Sequence, residues 1–320
     1  MFMVFVTTNF QGKPLDSTLT VLVMFAVASL RLLPSINRIA ASAMSIKGAV
    51  PVLDALHADY QMILGNKNQK RVVLPNGRIP FEANIRCDNI SFSYPETSAP
   101  TLKNIELEIQ RGETIGIVGP TGAGKTTLVD VLLGLLPPSR GRLLVDEHDV
   151  QENLRSWQDR IGYVPQKIYL TDNTLRRNIA FGVDDKEINE ERVRKAMRHA
   201  HLEELLDGLP KGLETMVGER GVRLSGGQSQ RVGIARALYH DPEVLIMDEA
   251  TSALDTESEQ KVQGAIDNLV KDRTVIVIAH RLSTITRADR IIVLDEGKLV
   301  ESGSHEELLN QNGKYKHLHD

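Results

Sequence analysis

The pattern of apolar and polar positions divides the chain into a strongly apolar N-terminal part and a longer part in which strand and helix patterns alternate. Residues 19–33 are almost continuously apolar and are interrupted only by Thr20, Ser29 and Arg31. This run is slightly shorter than the roughly 20 residues that cross a bilayer, and a helical pattern continues to residue 56. We therefore predict a long helix that crosses a membrane and extends beyond it. A buried helix of a soluble protein is the alternative.

Basic residues are distributed unevenly around the apolar run. Arg31, Arg38 and Lys47 follow it, whereas only Lys13 precedes it. Because lysine and arginine concentrate on the cytoplasmic side of membrane helices, we expect the rest of the chain to lie in the cytoplasm. Pro34 and Pro51 are expected to bend the helix.

The remainder of the chain is predicted to begin after a polar linker. Residues 65–82 are rich in Asn, Lys and Gly and separate an N-terminal part, residues 1–64, from a larger domain, residues 83–320. Residues 85–94 and 102–109 alternate apolar with polar side chains, which is typical of antiparallel strands with one buried face.

Short, fully apolar runs in the larger domain predict strands that are buried on both faces. These runs are residues 114–118, 244–247 and 274–278. Helical patterns lie between them, including a charged surface helix at residues 187–206, so we predict an α/β fold with a parallel sheet and covering helices. Residues 290–302 are predicted to form a hairpin that turns at Glu296-Gly297.

Composition and charge narrow the possible functions only a little. The chain has 320 residues, of which 41% are hydrophobic and 25% charged, and its net charge is −4. The absence of a basic excess gives no reason to expect binding to nucleic acid. Cys87 is the only cysteine, so the chain forms no internal disulfide, and nothing in its surroundings indicates a nucleophile.

A phosphate-binding loop follows the first predicted buried strand. Residues 119–126 fit the pattern G-x-x-x-x-G-K-[ST] between a strand and a helix. In such a loop the backbone N–H groups converge on phosphate oxygens, and the helix N-terminus favours negative charge. We expect Lys125 to bind the β- and γ-phosphates and Thr126 to bind Mg²⁺. The nucleotide-binding residues predicted here are Gly119, Pro120, Thr121, Gly122, Ala123, Gly124, Lys125, Thr126 and Thr127.

A second strand of the same kind ends in two carboxylates. Asp248 stands at the tip of the run of residues 244–247, and Glu249 follows it. At that position Asp248 is expected to hold Mg²⁺, and Glu249 is expected to polarise the attacking water as general base. An acidic strand end without a metal is the alternative for the pair taken alone.

Between these two sites lies the segment Leu224-Ser225-Gly226-Gly227-Gln228. In this order, between the phosphate loop and the Asp-Glu strand, it resembles the signature of the ATP-binding cassette family. We expect Ser225, Gly226, Gly227 and Gln228 to contact the nucleotide. The serine and the glutamine three positions later also fit a helix capping box, and the two roles are compatible.

The resemblance covers residues 85–320 and implies further roles. Tyr94 resembles the aromatic residue that stacks on adenine, and a strand tyrosine in the core is its alternative. Gln166 resembles the glutamine that contacts Mg²⁺ and water. His280 resembles the switch histidine on the γ-phosphate. Residues 252–255 resemble the loop that couples two ATP sites, and residues 214–221 resemble a segment of exporters that touches the membrane domain.

For this family the resemblance implies ATP and Mg²⁺ as cofactors and a head-to-tail pair of nucleotide-binding domains, as a homodimer or heterodimer. The order of membrane helix and ATPase domain resembles exporters and lipid flippases of the inner (plasma) membrane. Residues 30–38 resemble bacterial flippases for lipid-linked oligosaccharides.

Exporters of this kind have six membrane helices in each half, so we interpret the chain as a truncated exporter. We expect it to be unable to transport alone, with the missing helices on another chain as one possibility. The alternatives are a soluble cassette ATPase without a transport role and a cassette that binds ATP as a non-catalytic clamp.

Overall fold

The computed structural model describes residues 15–68, 79–95, 97, 99–219, 222, 224–248, 264, 273–279 and 285–319. The chain divides into two compact units, Met1–Arg71 and Val72–Asp320.

The first unit contains one continuous helix, α1 (Leu15–Asn68), which includes both Pro34 and Pro51. Its large apolar side chains are exposed, with Leu30 at 73% and Ile39 at 70% of full exposure. Among the described residues, the part from Leu19 to Gln61 is long and apolar enough to cross a membrane, with a mean hydropathy of 2.0 over its most apolar window. Exposed apolar surface of this extent is typical of a helix that contacts lipid or other helices.

The helix extends further than its sequence pattern predicts. Residues 65–68 were expected to begin the linker, but they form the last turn of α1. Asn and Lys are tolerated in a helix at a small cost in free energy, and Gly65 costs about 1 kcal/mol relative to alanine. A helix that is already long propagates through such residues because each further residue adds one hydrogen bond.

In the described part of the second unit, the strands form two main sheets and a two-stranded ribbon. These strands are β1 (Asn84–Phe92), β2 (Leu102–Gln110), β3 (Thr114–Val118), β4 (Arg140–Val145), β5 (His148–Asp149), β6 (Ile161–Val164), β7 (Asn173–Thr174), β8 (Met216–Val217), β9 (Val244–Asp248), β10 (Thr274–Ile278), β11 (Arg290–Asp295) and β12 (Lys298–Gly303). The mixed α/β fold, with parallel and antiparallel sheets after a long helix, confirms the predicted fold class.

The helices of this unit cover the sheets. Among the described residues they are α2 (Lys125–Leu132), α3 (Leu154–Gln158), α4 (Leu175–Ile179), α5 (Glu190–His199), α6 (Glu203–Asp207), α7 (Gly226–Leu238), α8 (His305–Asn310) and α9 (Lys314–His319), with short 3-10 helices at Val150–Glu152 and Gly212–Glu214.

The larger sheet has the strand order β12-β11-β3-β10-β9-β6. From β11 to β6 each neighbouring pair is parallel, and β12 joins β11 in antiparallel orientation. Strands β3, β9 and β10 are buried along their whole length, as their uninterrupted apolar sequences predict. The smaller sheet, β2-β1-β4-β5, is antiparallel, and β2 alternates buried with exposed residues as expected.

The charged helix predicted at residues 187–206 is instead two helices, α5 and α6. His201 adopts a left-handed conformation with φ of 50°. The amide of Leu202 donates to the Met197 carbonyl, which closes the end of α5. The charge pattern continues through this break, so periodicity alone does not reveal it.

Burial explains the behaviour of the single cysteine. Cys87 is a free thiol in β1 and is 2% exposed. Burial raises the pKa of Cys87 to about 12. The thiol therefore stays protonated at physiological pH and acts as a packing residue.

Trp157 joins α3 to the end of α2 in the core between the two sheets. Its side chain is fully buried, its ring lies edge-on to Phe81 with centroids 6.3 Å apart, and its indole N–H donates to the Leu132 carbonyl at 2.8 Å. This hydrogen bond fixes the C-terminal end of the helix that begins in the phosphate loop.

We predict that Trp157→Phe lowers the free energy of unfolding by about 1–3 kcal/mol, because the Leu132 carbonyl loses its indole donor in a dry environment. Urea unfolding of the full chain followed by circular dichroism measures this. Tyr169→Phe is the control, since Tyr169 is 73% exposed, and equal unfolding free energies for the two variants would contradict the assignment.

Candidate functional site

The candidate site lies where the parallel strands of the larger sheet end. Strands β3, β9, β10 and β6 run in the same direction, so their carboxyl ends share one edge. Predicted functional residues lie at this edge: the phosphate loop follows β3, Asp248 ends β9, and Gln166 follows β6. Clefts at this edge of an open α/β sheet are the usual ligand sites.

The phosphate loop, residues 119–126, connects β3 to α2. Its glycines have positive φ angles, 152° at Gly119, 81° at Gly122 and 103° at Gly124. These conformations are strained for residues with a side chain. At Gly119 a Cβ atom would stand 2.1 Å from the Leu294 carbonyl oxygen, so the loop passes against β11 with no room for a side chain.

Lys125 is the first residue of α2 and is only 7% exposed. Its ammonium group donates to the carbonyl oxygens of Gly119 at 2.7 Å and Pro120 at 3.0 Å. The charge is therefore held inside the curve of the loop. Gly124 precedes α2 and no side chain caps the helix there, which leaves the first backbone N–H groups facing the loop.

The phosphate loop and the tip of β9 border one cavity of about 240 Å³. Its lining residues are Thr101, Thr121, Gly122, Gly124, Lys125, Thr126, Thr127, Asp248 and Ile278. The structure thus brings Lys125, Thr126 and Asp248 together from two separate parts of the sequence. A cationic side chain, a helix N-terminus and oxygen donors in one cavity form a suitable environment for a phosphate chain and its metal ion.

Tyr163 in β6 lies within electrostatic range of Asp248 and Asp130, and of these three residues only Asp248 lines the cavity. Asp248 is 9% exposed. Burial, followed by the charges of Asp248 and Asp130, raises the pKa of Tyr163 to about 12. Burial also raises the pKa of Asp130. A hard cation such as Mg²⁺ prefers carboxylate and hydroxyl oxygens, so the side chains of Asp248 and Thr126 fit a magnesium ion.

Tyr94 lies just beyond β1, outside the strand that the alternation predicted to reach it, and is 39% exposed. Its ring stands edge-on to Phe92 with centroids 5.0 Å apart, and its hydroxyl is 3.3 Å from the Thr127 hydroxyl. The tyrosine is therefore on the surface beside the phosphate loop, and the core position that was its alternative is wrong.

The signature segment, residues 224–228, lies elsewhere on the unit. Ser225 is the N-cap of α7 and Gly226 begins the helix. The Gln228 amide donates to the Ser225 hydroxyl at 3.2 Å, and the Gln228 side-chain oxygen accepts from the Ser225 amide at 2.9 Å. The predicted capping box is present. None of the five signature residues, all of which the structure describes, lines the cavity around Lys125.

Gln166 follows the end of β6 and is exposed; it is not among the residues that line the cavity. Three further predictions fall outside the described residues: Glu249, which follows Asp248 in the sequence, His280, which follows Ala279, and residues 252–255. Within residues 214–221, Glu214 accepts a hydrogen bond from Arg176 at 2.6 Å.

Four residues of the site's surroundings were not predicted from the sequence. Asp130 follows Thr126 at helical spacing on α2, so a helical projection of α2 would have placed it on the same face. Thr101 precedes β2, Tyr163 lies in β6 and Ile278 ends β10. None of the three has a local signal in the sequence, because only the fold brings them to the site or its surroundings.

The fold and the cavity define the second unit as a P-loop nucleotide-binding domain. Residues 102–252 match the model of the ABC transporter family. An ATP-dependent lipid A-core flippase of Chromobacterium violaceum is 44% identical over 299 residues, which cover 92% of this chain and 50% of the flippase. A protein with the same description from Alkalilimnicola ehrlichii is 41% identical over 303 residues, covering 93% and 50%.

Among solved structures, a bacterial Atm1-family ABC exporter with ATP bound superposes with a TM-score of 0.70 at 39% identity. The match covers 77% of this chain and 43% of the exporter. Residues 102–252 of the second unit therefore form a domain of the ABC transporter family. The chain spans about half the length of the curated relatives it matches.

We predict that Gly119→Ala destabilises the domain by about 1–3 kcal/mol more than Gly122→Ala does, because the added methyl group is forced against the Leu294 carbonyl. Both glycines have positive φ, but a Cβ at Gly122 would meet no atom within 4 Å. Urea unfolding of the two variants tests the difference. Indistinguishable midpoints would show that β11 does not confine the loop.

Proposed function

We propose that this chain binds ATP with Mg²⁺ in the cavity beside the phosphate loop and hydrolyses it to drive export or flipping of a lipid-class substrate across the inner membrane. The observation that carries the proposal is the convergence of Lys125, Thr126 and Asp248 on one cavity. The flippase relatives and the ATP-bound exporter support the direction of transport and the nucleotide.

The phosphate loop is the group that binds the nucleotide. The N–H groups at the start of α2 donate to phosphate oxygens, and the ammonium group of Lys125 exchanges the carbonyls of Gly119 and Pro120 for the β- and γ-phosphates. Tyr94 stacks on the adenine from its exposed position beside Thr127. Thr127 and residues 119–124 complete the contact with the phosphate chain.

Thr126 and Asp248 hold the magnesium ion, with Gln166 as a further ligand from the end of β6. When bound, the metal neutralises negative charge on the phosphate oxygens. Glu249 follows Asp248 in the sequence, takes the proton of the attacking water and orients it towards the γ-phosphate. His280, which follows β10, donates to the γ-phosphate.

Two copies of the domain pair head to tail, so that the signature segment of one completes the nucleotide site of the other. Two observations support this assembly. The signature segment does not line the cavity of its own chain, and α7 presents Ser225, Gly226 and Gly227 at a helix N-terminus, where an anion binds favourably. Helix α1 attaches the chain to the membrane.

We predict that Lys125→Ala raises the dissociation constant for ATP by about 10- to 100-fold, because a charge-assisted hydrogen bond to phosphate is lost. Isothermal titration calorimetry on the full chain in detergent measures the constant. Lys186→Ala, which removes an exposed lysine, serves as the control. Unchanged ATP affinity in Lys125→Ala would refute the assigned role.

We predict that Glu249→Gln retains ATP binding, traps the closed dimer and lowers phosphate release by at least about 100-fold, since amide nitrogen and oxygen cannot accept the proton of water. Phosphate release and size-exclusion chromatography with ATP provide the two readouts. Glu106→Gln, at an exposed position of β2, is the matched control. Full hydrolysis by Glu249→Gln would eliminate Glu249 as the base.

A further inference from the structure

The hairpin turn between β11 and β12, Glu296-Gly297, contacts the phosphate loop although it lies far from it in the sequence. The Gly297 amide donates to the Ala123 carbonyl at 3.1 Å. The Gly297 carbonyl accepts from the Lys103 amide at 2.8 Å. One buried glycine thus joins the phosphate loop to the start of β2.

The first of these bonds fixes the orientation of a peptide group in the phosphate loop. In a trans peptide the carbonyl and the following N–H point to opposite sides. With the Ala123 carbonyl held by the hairpin, the Gly124 N–H is directed away from the hairpin, and Gly124 lines the cavity. The hairpin therefore sets the direction of a phosphate-binding donor without touching the phosphate.

The second contact extends towards Tyr94. Thr101 lines the cavity and its amide donates to the Phe92 carbonyl at 2.8 Å, while the Phe92 ring packs edge-on to Tyr94. A Cβ atom at Gly297 would stand 2.2 Å from the Thr101 carbonyl oxygen. The turn thus packs directly against the segment between β1 and β2, which contains Tyr94.

The turn is held in a conformation that requires this sequence. Glu296 and Gly297 have φ angles of 46° and 77°, the left-handed pair of a tight two-residue hairpin. Glycine is favoured at the second position by its φ and is required there by the approach of Thr101.

We propose that Gly297 is a positioning residue for nucleotide binding, which holds the Gly124 amide and the Tyr94 segment at a fixed separation. This inference rests on the proposed function, because it assigns phosphate binding to the first element and adenine stacking to the second. Gly297 acts through Ala123 and Thr101 and does not itself contact the nucleotide.

The test compares Gly297→Ala with Gly182→Ala in the full chain. Gly182 has a φ of 80° and a Cβ there would meet no atom within 4 Å, so the control carries the same backbone strain without the clash. We expect the dissociation constant for ATP to rise at least about tenfold in Gly297→Ala relative to Gly182→Ala. The measurement is calorimetric and is made below the melting temperature of both variants.

Equal ATP affinities in the two folded variants would overturn the inference and leave the proposed function intact. A wild-type chain that binds no ATP would overturn the proposed function, and the inference with it.

Hydrogen exchange on the wild-type chain provides a second test that does not depend on the folding of a variant. We expect ATP to slow exchange both in residues 119–127 and in the turn at residues 295–298, because the Gly297 amide is bonded to the loop that the nucleotide orders. Protection of the phosphate loop without any change in the turn would show that the hairpin is only packing, and would overturn the inference.

Discussion

The carbonyl oxygen of Leu294 stands where a side chain at Gly119 would have to be, and this close approach determines how the phosphate loop leaves β3. A trans peptide backbone that passes so near a neighbouring strand can turn only where no Cβ intervenes. The loop then curves around the ammonium group of Lys125, whose bonds to two loop carbonyls hold the curve. Everything that we assign to phosphate chemistry depends on this contact between β11 and the loop.

Helix α7, which begins in the signature segment, makes apolar and polar contacts with residues 168–178, which follow Gln166 in the sequence. Gly233 in α7 lies so close to Ile168 that a Cβ there would stand 2.2 Å from the isoleucine side chain. Further along, Arg236 donates to the carbonyl of Asn178, and the side chain of this fully buried asparagine bonds Thr171. Buried amide networks of this kind are satisfied in one arrangement only, so α7 and this segment behave as one packed body.

The local signals in the sequence were sufficient for the elements that carry the phosphate chemistry. Strands β3 and β10 begin and end where their apolar runs do, and the glycine spacing of residues 119–126 required the turn that the structure contains. Local sequence patterns did not predict where α1 ends, where the charged helix is interrupted, or which residues from other parts of the chain reach the site. Residues 65–68 look like a linker but continue α1, and His201 interrupts a charge pattern that reads as one helix. Thr101, just before β2, and Ile278, at the end of β10, reach the cavity only through the arrangement of the two sheets, which no short motif encodes.

The capping box at the start of α7 has a consequence for how the signature segment meets a ligand. The Ser225 oxygen accepts the Gln228 amide through a lone pair, while a hydroxyl keeps its own proton to donate in another direction. The start of the helix is therefore capped by residues of its own chain. Under the proposed function, the anion would bind through rotation of the Ser225 hydroxyl alone and would leave the capping box in place.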